Sequence, residues 1–589
     1  MPDVSGRRRE VGTPTPGRFA VETRTPGTTE LSGTAEAEPL TLRELDRASQ
    51  MHGTAGADSA HGYFELMDKV FATAEANIED PEALTLQTPA SFYSRFRVDM
   101  RVHHEVTAIH PDRKTVSVKN HENGDEFEES YDKLILSPGA KPTQPRFPGA
   151  DLDKVFTLRT VEDTLRIKNY INENHPQSVV LAGGGFIGLE LAENLRELGM
   201  DVTVVEYAKQ LMTPFDSDMA AFIHNEMRKH GVKLVLGRAV EGLEEADGGV
   251  KVLLKDDAPL HADMVVLAIG VTPDTALAKE AGLELGIKGA IVVNDRMETS
   301  VPDIYAAGDA VQVKNFVTGE DALISLAGPA NKQGRIIADN ICGLDSRYNG
   351  SQGSSVIKVF DMTAALTGIN ERSAKAAGLD ADTVILSPMS HAGYYPGGKV
   401  MTMKVVFEKD TYRLLGAQIV GYEGVDKRID VLATAIRAGM KATDLKDLDL
   451  AYAPPYSSAK DPVNMAGFMI DNIANGVLKQ WHLEDADKLP RDGSVTLLDT
   501  RTATEYSRGH IEGFRNIPVD ELRERLDEVE KGKPVYVICQ SGLRSYIASR
   551  ILEGNGYTAY NFAGGFRFYD AVTNDRALTC RATACGMDN

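Results

Sequence analysis

The sequence of 589 residues predicts an α/β fold divided into several units. Three observations carry that expectation. Strand-period and helix-period apolar patterns alternate from residue 178 to about 273, a second strand-loop-helix unit occupies about 493 to 577, and a mixed strand and helix region lies between, at about 355 to 475.

The first unit is written in VVLAGGGFIGLELAENLRELGMDVTVVE, Val179 to Glu206. Four apolar residues run into Gly183-Gly184-Gly185-Phe186-Ile187-Gly188, and a helix follows with Ile187, Leu191, Leu195 and Leu198 expected on one face. It closes at Gly199, a strand runs Val202 to Val205, and Glu206 stands eighteen positions past the last glycine. A lone G-x-G-x-x-G is a common turn; strand, helix, second strand and terminal acid in register make it a dinucleotide site. Gly183 permits the turn, Gly185 lets backbone N–H groups approach a pyrophosphate, and Gly188 lets helix and strand pack closely. A carboxylate at Glu206 accepts ribose hydroxyls and repels a 2′-phosphate, which favours NADH over NADPH.

Composition is that of a globular chain, 42% hydrophobic and 25% charged, and a net charge of −22 argues against nucleic acid or an anionic membrane as partner. No apolar run approaches the ~20 residues that span a bilayer. A cytoplasmic protein is expected. Cys342, Cys539, Cys580 and Cys585 are too few for a disulfide framework. Cys342 ends an apolar helix and reads as inert packing. Cys580 and Cys585 lie in a polar tail without histidine neighbours, so no metal site is expected.

Residues 1 to about 60 are rich in Gly, Pro, Thr, Glu and Arg and read as disordered. Order is expected from about Leu84, with strand-like alternation at Val98–Val102, Val106–Ile109 and Thr115–Val118, a turn at Glu122–Asp125, and a strand from Lys133 to Leu136. The pattern from 178 to 273 reads strand, helix, strand, helix (Ser217 to His230), strand, hairpin, strand. It is nested between two halves of another unit, the second resuming at Ile291. A charged segment at Leu483 to Asp492 reads as a linker.

Several segments resemble the flavin-dependent pyridine nucleotide-disulfide oxidoreductases, specifically the coenzyme A-disulfide reductase and persulfide reductase branch with a C-terminal rhodanese domain. Leu134-Ile-Leu-Ser-Pro-Gly-Ala140 is similar to the return from the flavin domain, and Ala268-Ile-Gly270-Val-Thr-Pro273 to its counterpart closing the NADH domain. Thr299 to Asp309, ending Ala306-Ala307-Gly308-Asp309, resembles the second flavin motif, in which the resemblance assigns the aspartate to the ribityl chain of FAD. A helix N-cap is the plain alternative for Asp309. Ala327 to Arg335 is similar to the helix start beneath the flavin ring. Tyr394-Tyr395-Pro396 and Tyr452-Ala-Pro-Pro-Tyr456 resemble segments of the dimerisation domain that face the partner subunit, which implies a homodimer and a coenzyme A-type thiol substrate near Tyr395 and Tyr456; ordinary core or interface tyrosines are the alternative.

The sequence also departs from that pattern. The first eighty residues hold no G-x-G-x-x-G for the ADP part of FAD, and no cysteine precedes Cys342. Phe71-Ala72-Thr73-Ala74 stands where the family carries its redox cysteine.

The second chemical signal is Pro534-Val-Tyr-Val-Ile-Cys539-Gln-Ser-Gly-Leu-Arg544-Ser-Tyr-Ile-Ala-Ser. A β-rich run delivers Cys539 to a loop with Gly542, and a helix is expected near Ser545. Inward amides, the helix N-terminus and Arg544 suit a thiolate and then a persulfide anion. This resembles the rhodanese active loop, with Asp499, Arg501 and His510 read as structural and Asn561-Phe-Ala-Gly-Gly565 as the last strand and turn.

The resulting expectation is two nested Rossmann-like nucleotide-binding domains, FAD at 84–150 and 275–345 (partial) and NAD(H) at 151–274, an α+β dimerisation domain at 350–477 and an α/β rhodanese domain at 493–577, after an atypical segment 1–83. The function implied is NADH- and FAD-dependent reduction of coenzyme A disulfide, persulfide or polysulfide sulfur coupled to sulfur transfer. A sulfurtransferase with a flavin-deficient NADH-binding scaffold, and an NADH oxidase, are the alternatives.

Overall fold

The computed structural model describes residues 87–584, with side chains through 579. The segment 1–83, the Phe71–Ala74 stretch and Cys585 lie outside the described residues, as does the side chain of Cys580. The described chain begins with a helix the sequence reading did not include, Pro89–Phe96, started by a reciprocal capping box between Thr88 and Ser91 with proline in the first turn. Val98, Met100 and Val102, expected in a strand, stand in irregular chain and are each more than a third exposed. Alternation needs a neighbouring strand, and none among the described residues pairs with them. A three-stranded antiparallel meander follows, and the turn at Glu122–Asp125 joins its second and third strands.

The NAD-type unit is a five-stranded parallel sheet in the order Val155–Thr157, Met264–Leu267, Ser178–Ala182, Asp201–Glu206, Lys233–Leu236. Its strands are nearly continuous apolar runs because helices cover the faces. Two of those helices are α1 (Phe186–Glu197) and α2 (Ser217–Lys229). Leu189, Leu191 and Leu195 of α1 are fully buried. Leu198, expected on the same face, is the C-terminal cap and is 45% exposed.

The flanking unit contributes a parallel pair, Leu134–Leu136 with Ile304–Ala306, and helix α3 (Ala327–Ile341). The region from 355 is a five-stranded antiparallel sheet, Ser355–Val359, Met362–Gly368, Leu414–Gly421, Met401–Glu408, Ala381–Leu386, backed by Val425–Arg437 and by α4 (Pro462–Ala474).

The C-terminal unit is a parallel sheet in the order Gln480–Trp481, Thr558–Phe562, Pro534–Ile538, Thr496–Asp499, Arg515–Asn516, with α5 (Leu543–Gly554) and α6 (Gly565–Ala584). Its edge strand precedes the segment read as a linker. Leu483, Ala486 and Leu489 of that segment are buried, their three-residue spacing pointing apolar side chains inward while the acids stay outside. One apolar cluster is continuous through Leu181 and Met219, Ile357 and Phe360, and Trp481, Phe562 and Phe568, so three units share a core. Helix α6 runs beyond the tail boundary expected near 577. Among the described residues no helix is long and apolar enough to cross a membrane.

Candidate active site

The three glycines of the loop after Ser178–Ala182 have separate jobs. Gly183 sits at φ 118°, and a Cβ there would meet the Ala268 carbonyl oxygen at 2.2 Å. At Gly188 a Cβ would lie 2.0 Å from the Gly183 oxygen, which is the close approach of helix to strand. Gly185 faces open space at the N-cap of α1, leaving room for a phosphate against the helix terminus. Glu206 stands at the end of its strand; Oε2 accepts the Gly184 N–H at 2.6 Å and Oε1 the Ala208 N–H at 2.7 Å. The carboxylate therefore faces the glycine loop.

Asp309 is 4% exposed in a short turn after Ile304–Ala306, and it caps no α-helix. The Arg159 guanidinium donates to its Oδ2 at 3.0 Å while Nε of the same arginine donates to the Ala140 carbonyl at 2.9 Å. Gly308 donates its N–H to Gln333 Oε1 of α3 at 2.8 Å. Arg159 was not singled out by sequence, while Gln333 lies within the Ala327–Arg335 segment likened to the helix beneath the flavin ring. Gly185, Gly270, Asp309, Arg159 and Leu326 line one cleft of about 560 Å³. The fold thus brings the NAD-type loop and the second flavin-like motif onto a shared opening.

A second cleft of about 500 Å³ is lined by Tyr452, Tyr456, Lys427 and Arg428. Tyr456 is 73% exposed, and Tyr395 nearby is 43% exposed, edge-on to His391. The hydroxyls of Tyr394 and Tyr452 lie 3.1 Å apart. Arg428, buried, donates to the carbonyls of Ser390, Gly424 and Tyr456 and to Asp461, which sets the shape of the tyrosine loop. These tyrosines are surface groups, not core.

Cys539 is wholly buried at the end of Pro534–Ile538. Its Sγ accepts the Gly542 N–H at 3.1 Å and the Ser545 hydroxyl at 3.2 Å. Helix α5 begins at Leu543, with Gly542 as its left-handed N-cap at φ 99°. The two Nη atoms of Arg544 donate to the carboxylate oxygens of Glu505, both at 2.7 Å, and its charge lies within electrostatic reach of Cys539. That pair holds the Glu505 carboxyl at a pKa of about 2. Arg544 and Glu505 close one side of the loop. Asp499 and Arg501 are buried against each other beneath it, and His510 stacks on Tyr506 with ring centroids 3.9 Å apart.

Cys342 is exposed at the C-cap of α3, so it does not pack in a core. Its residual burial and Asp339 push the thiol up. Among the described residues Glu226, His230 and Asp361 are grouped within metal-ligand reach, but Glu226 already accepts bonds from Lys229, His230 and Tyr422.

Residues 56–334 match the pyridine nucleotide-disulphide oxidoreductase family, 354–462 its dimerisation domain and 482–571 a rhodanese-like domain. The coenzyme A disulfide reductase of Staphylococcus aureus is 36% identical over 392 residues, which is 66% of this chain and 87% of that protein. The chain belongs to the pyridine nucleotide-disulphide oxidoreductases. It is an enzyme of that family, whose cofactors are FAD and NAD(H). The whole architecture is similar to that of reduced CoADR-RHD from Bacillus anthracis, 46% identical with a TM-score of 0.84 over 89% of this chain and 92% of that one. It is also similar to a NAD-dependent persulfide reductase from A. fulgidus, 36% identical with a TM-score of 0.80 over 90% and 98%.

The residues present fit both cofactors of the oxidoreductase in the described part. The open face at Gly185 and the Glu206 carboxylate fit NADH, and the buried Asp309–Arg159 pair on the same cleft fits the sugar side of FAD.

Proposed function

We propose that this chain reduces sulfane sulfur, delivered as a persulfide or polysulfide, with electrons from NADH, and that Cys539 is the sulfur-accepting nucleophile. The observation that carries the reading is Cys539 Sγ receiving two hydrogen bonds, from Gly542 and Ser545, at the head of α5. An anionic sulfur in that loop meets donors and the positive end of a helix. The Cys539 thiolate attacks the outer sulfur of R–S–S⁻; a Cys539 S–S bond forms, the donor S–S bond breaks, and R–S⁻ leaves with its electron pair. A small thiol carrier of coenzyme A type then takes the sulfur by the same exchange. Reduction follows RSSH + NADH + H⁺ → RSH + H₂S + NAD⁺.

In this reading the Gly183–Gly188 loop and the α1 N-terminus hold the NADH pyrophosphate, Glu206 holds the adenosine ribose, and Asp309 with Arg159 orients the sugar chain of FAD. FAD supplies two-electron transfer between NADH and the sulfur acceptor. Among the described residues that line the main cleft none is a cysteine. Cys342 lies at the far end of the 15-residue α3 from Leu326, about 24 Å along the axis at about 1.5 Å per residue. A coenzyme A disulfide needs a local thiol to hold its first half, so sulfane sulfur is the better-supported substrate. The exposed tyrosine cleft with Lys427 is the surface offered to the carrier across a homodimer.

Anaerobic assay with NADH, FAD, coenzyme A and polysulfide tests the proposal. One sulfide per NADH oxidised, with little turnover of coenzyme A disulfide, is expected. NADH consumption that requires oxygen and yields no sulfide would refute it.

A further inference from the structure

We propose that His224 and Asp575 are positioning residues for the NADH glycine loop, so that the last helix of the C-terminal unit helps set NADH affinity. This rests on the nucleotide reading above.

His224 of α2 is 2% exposed and bonded on both ring nitrogens. Its Nε2 lies 3.0 Å from the Leu211 backbone nitrogen, and its Nδ1 lies 2.9 Å from Asp575 Oδ2 in α6. A backbone N–H only donates, so Nε2 is the unprotonated nitrogen. The proton is then on Nδ1 and is donated to Asp575, which fixes the tautomer that can hold Leu211.

Leu211 and Met212 lie directly beneath the loop. The Leu211 side chain fills the space a Cβ on Gly184 would occupy, 2.4 Å from its Cδ2, and the Met212 N–H donates to the Gly184 carbonyl at 2.8 Å. Gly184 is thereby held from one side by Glu206 and from the other by the segment that His224 anchors. The same helix begins on the sulfur loop, where the Phe566 N–H donates to the Cys539 carbonyl at 2.7 Å. Docking of α6 has a second component: Arg228 pairs with Asp575, and Phe222 stacks on Phe568. Arg228 holds the other carboxylate oxygen of Asp575 and the Thr579 hydroxyl, and among the described hydrogen bonds none joins it to Leu211.

The test is NADH titration of the full chain by nucleotide fluorescence, with sulfur transfer through Cys539 measured on each variant. His224→Ala leaves the Leu211 N–H buried and unpaired and raises the NADH Kd about five- to tenfold. Asp575→Leu, which leaves the NADH unit's own sequence intact, raises it similarly and keeps the test open if His224→Ala does not fold. Asp575→Asn retains an acceptor for Nδ1 and stays within about twofold of the parent, as does Arg228→Gln. Retained sulfur transfer shows that the C-terminal unit is folded in each. Equal effects of His224→Ala and Arg228→Gln, or unchanged affinity in both His224→Ala and Asp575→Leu, would overturn the positioning role. A parent chain that binds no NADH would overturn the nucleotide reading and this inference with it.

Discussion

The carboxylate of Glu206 accepts the backbone N–H of Gly184 at 2.6 Å, so the acid that closes the nucleotide motif also braces its glycine loop. Glu206→Ala removes both the ribose acceptor and the brace. NADH affinity is expected to fall on the order of tenfold or more while NADPH changes less, because charge repulsion of the 2′-phosphate is relieved. Parallel titrations with the two nucleotides measure this; an unchanged affinity ratio contradicts the placement.

Gly185 and Gly188 separate binding from folding. Gly188→Ala forces a methyl against the Gly183 carbonyl and is expected to lower stability by about 1–3 kcal/mol. Gly185→Ala meets open space, so its melting temperature stays near the parent's while NADH binding weakens. Thermal melts with and without NADH distinguish the two.

Ser545→Ala removes one of two hydrogen bonds to Cys539 Sγ. Sulfur transfer should fall about tenfold, as for a bond to a charged acceptor, and Cys539→Ser should abolish it. NADH titration should be unchanged in both. Transfer surviving in Cys539→Ser would place the nucleophile elsewhere.

Acid should loosen the C-terminal unit through Glu505. Its folded pKa of about 2 lies below the ordinary 4.5, chiefly because Arg544 holds the carboxylate. A depressed carboxylate contributes stability that is fully present above pH 4.5 and is lost as pH falls toward about 2. Denaturant midpoints across that window should drop, and Arg544→Gln should flatten the Arg544-dependent part of the slope. An identical slope in the variant would show that the pair does not contribute.

The sequence holds no first G-x-G-x-x-G for the ADP part of FAD, while Asp309 and Arg159 serve the sugar side. Loss of a phosphate loop costs on the order of a thousandfold in affinity. The purified chain should carry well under one FAD per polypeptide and take up more when FAD is added. Full flavin absorbance without addition would contradict this.

The nucleotide loop was legible because its chemistry is local: turn glycines, helix and acid lie within one strand-helix-strand unit. Cys539 was legible for the same reason. Arg159 with Asp309, and His224 with Asp575, are contacts between residues 150 and 351 positions apart, and no period in the sequence encodes them. Arg544 was legible beside the sulfur loop, but its bidentate partner Glu505 lies on another segment and no local pattern announces it. Val98–Val102 alternates like a strand, but strand formation depends on a partner. Leu483–Asp492 looked like a linker because its charges outnumber its apolar residues, although those apolar residues fall at helical spacing and are buried.

Mass spectrometry of the Cys539 peptide after exposure to polysulfide, before and after anaerobic addition of NADH, FAD and coenzyme A, tests the central claim most directly. One added sulfur on Cys539, discharged as sulfide only when NADH is present, is the predicted result. Sulfur on another cysteine, or a Cys539 persulfide whose discharge yields no NADH-dependent sulfide, would contradict it.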